Sequence, residues 1–300
     1  MSVSRTHETV AIIGATGKQG GATARRLLEL GRPVRALVRD VAAPAATVLA
    51  AAGAQLVPGD LDDPASLVAA LDGAAAAFAI PPVTFEPELE VARGRALVDA
   101  AAAAGVEQVV FSTVASSSTR HQSAEGKARI ERYLHERIRH ATVLRPVRFM
   151  TNYIGAGVRG VDGIAHGVHR HLFPPHEPMQ VIALEDIADF AALAFAEPAR
   201  FAGRTLELAG DQPTPVEAAA AISAATGVPV RYEQLTDDEA AALGPMFTET
   251  LRRWRAGGGW HADLEALRVI HPGLRTFADW LAESGAAALR DDLVSRNSVA

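Results

Sequence analysis

Short apolar runs alternate with amphipathic alanine- and leucine-rich stretches through the first half of the chain. Val10–Ile13, Pro33–Val38, Gln55–Val57, Ala74–Ile80 and Gln108–Ser112 are the apolar runs. Runs of that length, bounded by glycine, proline or aspartate, predict short buried strands. Ala22–Leu30 and Glu88–Ala104 lie between them with helical spacing, and they stop at Gly31 and Gly105, as helices often do. Asp63-Pro64 starts another helix, with an N-cap followed by proline at the first helical position. Ser123–Arg139 sets Ile130, Leu134 and Ile138 on one face, and Ala141–Pro146 is a sixth strand. Strands alternating with helices predict an α/β fold with a parallel sheet and right-handed crossovers.

Beyond Ile154 the strict alternation stops. Gly155–His176 is rich in glycine and histidine, and its His166, His169, His171 and His176 are irregularly spaced. It reads as a loop over a substrate cleft, with one histidine touching ligand, rather than as a metal centre. Met179–Ala183, Arg204–Leu208 and Val228–Tyr232 are expected strands, and Glu185–Ala196 a helix. Thr214-Pro215-Val216-Glu217 is a capping box that starts a helix running to Ala225, and the chain from Thr236 is mostly helical. The expected division is a dinucleotide-binding domain over 1–153 and a smaller α/β lobe over 154–300, with some segments returning to the main sheet.

Composition narrows the classes. The chain has 300 residues, 49% of them apolar, enough for a sizeable core. A net charge of −6 leaves no basic footprint for direct nucleic-acid binding. The absence of cysteine removes disulfides, thiolate metal sites and cysteine nucleophiles. Met1–Glu8 is polar, and the apolar run Ala74–Val83 is too short to span a bilayer. The expectation is a cytoplasmic protein without a membrane segment.

The candidate chemistry follows the first strand. Gly14-Ala15-Thr16-Gly17-Lys18-Gln19-Gly20 spaces its glycines as G-x-x-G-x-x-G between a strand and a helix. That context makes an anion site for a pyrophosphate at the helix N-terminus. Arg39-Asp40 ends the second strand, where the adenosine ribose is met. An arginine there accommodates the 2′-phosphate of NADP, and an acid favours NAD; Arg39, first after the strand, favours NADP(H). Ligands of such sheets bind outside the carboxyl ends of the strands. That marks Asp60 and Leu61, Ile80, Pro81 and Pro82, and Ser112 and Thr113 with the segment to Ser116.

Read together, these segments resemble the NmrA-like family, a branch of the atypical short-chain dehydrogenase/reductases. The cofactor loop Gly14–Gly21, Val38-Arg39-Asp40 and Gly59-Asp60-Leu61-Asp62 are similar to its first motifs. Lys127–Leu134, Leu144-Arg145-Pro146 and Phe149-Met150 with Asn152 resemble its central signature, and Trp260–Asp263 with Pro272–Phe277 its C-terminal one. The resemblance runs from about His7 to Leu281. It implies a Rossmann-type sheet, a bound NAD(P), and either NADPH-dependent reduction of quinone-like or carbonyl-type molecules or a non-catalytic redox sensor that regulates a protein partner. It allows a monomer or a homodimer, and neither metal nor flavin is expected.

The catalytic residues are less regular. Ordinary short-chain dehydrogenases use Tyr-x-x-x-Lys, in which the lysine holds the nicotinamide ribose and the tyrosine moves the proton. Here Lys127 takes the lysine place, but Ser123 stands four residues before it. Quinone reduction needs little general-acid help, so positioning and one cation suffice. Lys127 is therefore assigned to the ribose or the developing oxyanion, its alternative being a surface pair with Glu131 one turn on. Tyr153, after the sixth strand, is expected to reach the cleft, and Phe149, Met150 and Asn152 are substrate-side candidates for the same positional reason.

Overall fold

The computed structural model describes residues 8–81, 86–115 and 122–297. The chain divides into two compact units. The first comprises Met1–Val114, Thr119–Pro146 and Ile187–Glu207; the second comprises Ala115–Ser118, Val147–Asp186 and Leu208–Ala300.

The first unit alternates β1 (Val10–Ile12), α1 (Lys18–Glu29), β2 (Val34–Val38), α2 (Pro44–Ala51), β3 (Gln55–Pro58), α3 (Pro64–Leu71), β4 (Ala76–Ala79), α4 (Pro87–Ala103), β5 (Gln108–Ser112), α5 (Gln122–Arg137) and β6 (His140–Pro146). The second begins with β7 (Arg148–Phe149), β8 (Gly157–Val158), β9 (Val161–Asp162), β10 (Ile164–Ala165), β11 (Val168–His171) and β12 (Val181–Ile182). The chain then passes back through the first unit with most of α6 (Leu184–Ala196), α7 (Pro198–Phe201) and β13 (Thr205–Leu208), and the second resumes with α8 (Pro215–Thr226) and β14 (Arg231–Gln234). Helices α9 (Asp237–Leu243), α10 (Pro245–Arg255), α11 (Leu264–Ile270), α12 (Phe277–Trp280) and α13 (Ala286–Asn297) follow.

The main sheet has seven strands in the order β13-β6-β5-β4-β1-β2-β3. Val10 of β1 registers in parallel with Val34 on one side and Ala76 on the other. The order reverses at β1, so the switch point of this Rossmann-type sheet lies between β1 and β4. Helices cover the sheet with Leu67, Leu71, Val91, Leu97, Ile130 and Leu134, which pack with Phe111 and Val143 in one core.

Three differences from the expected elements have local causes. Helix α1 starts four residues earlier than its periodicity, because Gly17 is itself the N-cap. The segment expected as a loop over 155–176 contains β8 to β11; β10 and β11 form a hairpin closed by His166 and Gly167, at φ +49° and +71°. Positive φ at both positions is what a two-residue hairpin turn of the favoured hand requires. Strand β11 in turn pairs with β14, whose start lies beyond the expected one because Ser223 Oγ binds both N–H and C=O of Val230 after the helix end at Gly227. Among the described residues no helix is long and apolar enough to cross a membrane.

Candidate functional site

In the first unit, β1 runs into the glycine turn. Gly14 takes φ +77°, and its carbonyl accepts the Gly17 N–H at 3.0 Å. A Cβ on Gly20 would overlap the Gly14 carbonyl, lying 2.7 Å from its carbon, so only glycine lets α1 come this close to the turn. Helix α1 has no side-chain cap and no acid in its first turn, whereas Asp63 caps α3 and Thr214 caps α8. The first-turn N–H groups of α1 have no intrahelical acceptors. Thr16, Gly17 and Lys18 are exposed and Gln19 half-buried. Free donors, the positive end of the helix dipole and the Lys18 ammonium together favour an anion.

The neighbouring strand ends close around this turn. Ile80, half-buried after β4, lies 3.8 Å from where a Gly14 Cβ would stand. Buried Ser112, at the end of β5, donates its hydroxyl to Gln19 Oε1 at 2.6 Å. Pro81 is buried. Pro82, Val83 and Ser116–Ser118 lie outside the described residues.

At the tip of β2 the two candidate side chains separate. Asp40 Oδ1 accepts the Ala42 N–H at 2.8 Å and shapes the turn. Arg39 is exposed and makes no hydrogen bond or ion pair among the described residues. The Asp62 carboxyl is held below its ordinary value, first by its hydrogen bonds from Arg93 and, to a smaller degree, by the charge of Arg39. Asp60 is exposed, and its Oδ1 accepts the Asp62 N–H at 3.0 Å, which is turn chemistry. Leu61 packs on the edge of the core.

Thr113 is buried, and its hydroxyl donates to Glu131 Oε1 at 2.7 Å. Glu131 also takes the Arg145 guanidinium, Nε at 3.1 Å. It is therefore not the partner of Lys127, contrary to the surface pairing that spacing allows. Lys127 Nζ instead donates to Glu90 on α4, with side chains 13% and 2% exposed. Tyr133, further along α5, gives its hydroxyl to Asp99 at 2.6 Å.

The second unit corrects several expectations. Tyr153 is fully buried, so its hydroxyl does not reach an open cleft. The Arg148 guanidinium lies 3.9 Å over its ring, His169 4.8 Å away edge-on, and Phe277 5.3 Å away. Burial pushes the phenol's pKa up. Met150 is also fully buried, in the core with Tyr153; Phe149 is half-buried, and Asn152 Nδ2 donates to Asp162 Oδ2 at 3.0 Å.

The histidine segment does not converge on a ligand. His166 and His176 are exposed, while His169 and His171 are buried with rings 5.8 Å apart. His171 Nδ1 accepts the Leu172 N–H at 2.9 Å, which puts the ring proton on Nε2, 3.2 Å from Asp162 Oδ1. Asp162 also holds Arg148 Nε, and that guanidinium and His171 keep its carboxyl well below the usual range despite the opposing cost of burial. Sequence reasoning misses Glu90, Glu131, Arg148 and Asp162. The one available signal is His-x-His in a Val-His-Arg-His run, the period-2 pattern of a strand that buries both histidines.

A doubly wound parallel sheet with a glycine turn and an open helix N-terminus at its switch point defines a dinucleotide-binding α/β protein. The model of the NmrA-like family matches residues 6–249, and the chain belongs to that family. It is 31% identical over 252 residues to an NAD(P)H azoreductase from Xenophilus azovorans, covering 81% of this chain and 83% of that one. The Citrobacter sp. triphenylmethane reductase complexed with NADP(H) superposes with a TM-score of 0.75 at 21% identity, over 92% of this chain and 99% of that one. An NADPH-dependent quinone oxidoreductase from Escherichia coli, complexed with NADPH, superposes with a TM-score of 0.71 at 27% identity, over 91% and 98%.

Proposed function

We propose that this protein is an NADPH-dependent reductase of conjugated, quinone-like small molecules. The observation that carries the cofactor choice is at the tip of β2: Asp40 Oδ1 is engaged in its own turn, and Arg39 is exposed and has no partner among the described residues. The glycine turn supports a pyrophosphate, since a Cβ at Gly20 would fill the space that the backbone needs there. Asp60 and Leu61 would border the adenosine side, Ile80 the central phosphates and ribose, and Ser112 would hold Gln19 beside the phosphates.

When bound, the dihydronicotinamide supplies a hydride. The chain's part is to bind, orient and stabilise charge. Lys127 offers an ammonium at the N-terminal end of α5, on the carboxyl edge of the sheet, for the ribose or for the oxyanion of the reduced acceptor. The hydroquinone anion leaves with a proton from solvent, so no tyrosine is needed. The family relatives that act on an azo compound and on a quinone fit an extended conjugated acceptor. One observation favours a second reading, a dinucleotide sensor acting on a protein partner: the place of the usual tyrosine holds Ser123.

The test joins binding and turnover. Arg39→Ala should weaken NADPH about ten- to hundredfold in calorimetry and leave NADH nearly unchanged; equal losses sink the phosphate assignment. NADPH oxidation by a panel of quinones above the uncatalysed rate, lost in Lys127→Met, carries the enzyme reading. Tight NADPH binding with no turnover across the panel turns the reading to the sensor.

A further inference from the structure

The partner that the first unit gives to Lys127 is a carboxylate with almost no access to water. Glu90 is 1% exposed, and its Oε1 accepts from Lys127 Nζ. The pairing follows from how two helices meet. A Cβ on Gly94 would stand 2.7 Å from Ile130 Cγ1 and 2.9 Å from its Cγ2, so α4 can approach α5 this closely only because position 94 is glycine. Glu90 lies one turn before Gly94 on α4, and Lys127 one turn before Ile130 on α5. Residues three or four apart share a helix face, so the contact that seats Ile130 on Gly94 also brings carboxylate and ammonium together. Both lie in the N-terminal halves of helices that follow β4 and β5, hence toward the carboxyl edge of the sheet. Glu90 is in the first turn of α4, where the dipole favours a negative charge.

We propose that Glu90 is a positioning residue for Lys127: it fixes the ammonium's place and leaves the remaining N–H donors for the ligand. This rests on the reading of Lys127 as a residue of the cofactor and substrate site. An ammonium has three donors and no acceptor. One is spent on Glu90, and two are left for a ribose hydroxyl or an oxyanion. A free lysine stem has four rotatable bonds and samples many positions, whereas a buried carboxylate selects one. The burial of Glu90 gives the pair its force, because a carboxylate out of water holds its counter-ion far more firmly than an exposed one does.

The experiment compares Glu90→Gln, Lys127→Met, the double variant, and Glu90→Asp, each followed by NADPH calorimetry, quinone turnover and thermal unfolding. Lys127→Met should lower kcat/KM at least about tenfold. Glu90→Gln should reproduce most of that loss, chiefly in kcat, in a protein that still unfolds cooperatively. The double variant should be no worse than Lys127→Met alone, since residues acting as one unit are not additive. Glu90→Asp should recover part of the activity.

Wild-type kcat in Glu90→Gln, with Lys127→Met impaired, overturns the positioning role and leaves the Lys127 reading standing. Losses that multiply in the double variant overturn it as well. An unimpaired Lys127→Met removes the reading beneath it. If Glu90→Gln does not fold, Glu90→Asp, which keeps the charge and shortens the stem, carries the test: a kcat below the parent's and above that of Lys127→Met supports the proposal, and a parental kcat overturns it.

Discussion

Each unit has an arginine near an aspartate, and the two arginines are handled in opposite ways. In the first unit Arg39 is exposed and makes no hydrogen bond or ion pair among the described residues. In the second unit Arg148 is 6% exposed; it donates to Asp162, lies over Tyr153, and shares Asp162 with His171 and Asn152. Donors at a solvent-facing strand end can stay without a protein partner at little cost, because water satisfies them. A charge in the interior has to find its counter-charge within the chain, because an unpaired buried charge is far too costly. Residue type therefore does not mark the site. An arginine, a tyrosine and two histidines close in sequence look like chemistry and turn out to be a core.

The largest expected effect tests the sealed side. Arg148→Met keeps an apolar stem and removes the guanidinium that lies over Tyr153 and that Asp162 faces. Breaking a buried pair costs about 3–5 kcal/mol. Asp162 keeps 32% of its side-chain surface exposed, so the lower end, about 3 kcal/mol, is expected in urea unfolding. NADPH affinity should not change. A variant as stable as the parent would mean that the ionic centre holds nothing together.

Next comes the open side. Gly20→Ala sets a Cβ against the Gly14 carbonyl, a backbone atom that cannot turn aside. Overpacking costs about 1–3 kcal/mol, and the better helix propensity of alanine returns about 1 kcal/mol. A net loss of about 2 kcal/mol should come with weakened NADPH binding, since the same backbone presents the N–H donors. Calorimetry on the folded variant showing parental affinity would separate the glycine turn from the cofactor.

The same contrast explains what can be read in the chain. The strands of the main sheet are legible because most are short, predominantly apolar runs, and the glycine turn because its spacing sits between strand and helix. Helix α2 is not, since Pro44-Ala45-Ala46-Thr47-Val48 has no polar face to set a period. Strands β8 to β11 are two to four residues long and hidden among glycines, too short for alternation to show. Of the candidate site residues, Ile80 and Ser112 touch the open turn, whereas Tyr153 and Met150 are core. Position after a strand says where the backbone goes, and only packing says which way a side chain turns. The Glu90–Lys127 pair depends on which helix faces meet, and the Glu131–Arg145 pair on how α5 lies against β6, and a single chain carries no mark of either.

The smallest effect sharpens the comparison through pH. His169 is fully buried, and neither of its ring nitrogens has a hydrogen-bond partner among the described residues. Arg148, Asp162, His171, Tyr153 and Tyr232 surround it. Burial first, then the charge of Arg148, holds its pKa well below the ordinary histidine value, with Asp162 opposing. The unfolded chain takes a proton at this residue near pH 6.5, and the folded one does not. Stability should therefore be unaffected above about pH 6.5 and fall below it by about 1.4 kcal/mol per pH unit for this one group. Asp162 acts in a separate window: its contribution is complete above about pH 4 and lost only below that. Urea midpoints from pH 7.5 to 5 should show the slope in the parent and a slope smaller by one proton in His169→Phe. Equal slopes would mean that His169 is protonated in the folded protein, and that the centre in the second unit is as open to protons and water as the turn in the first.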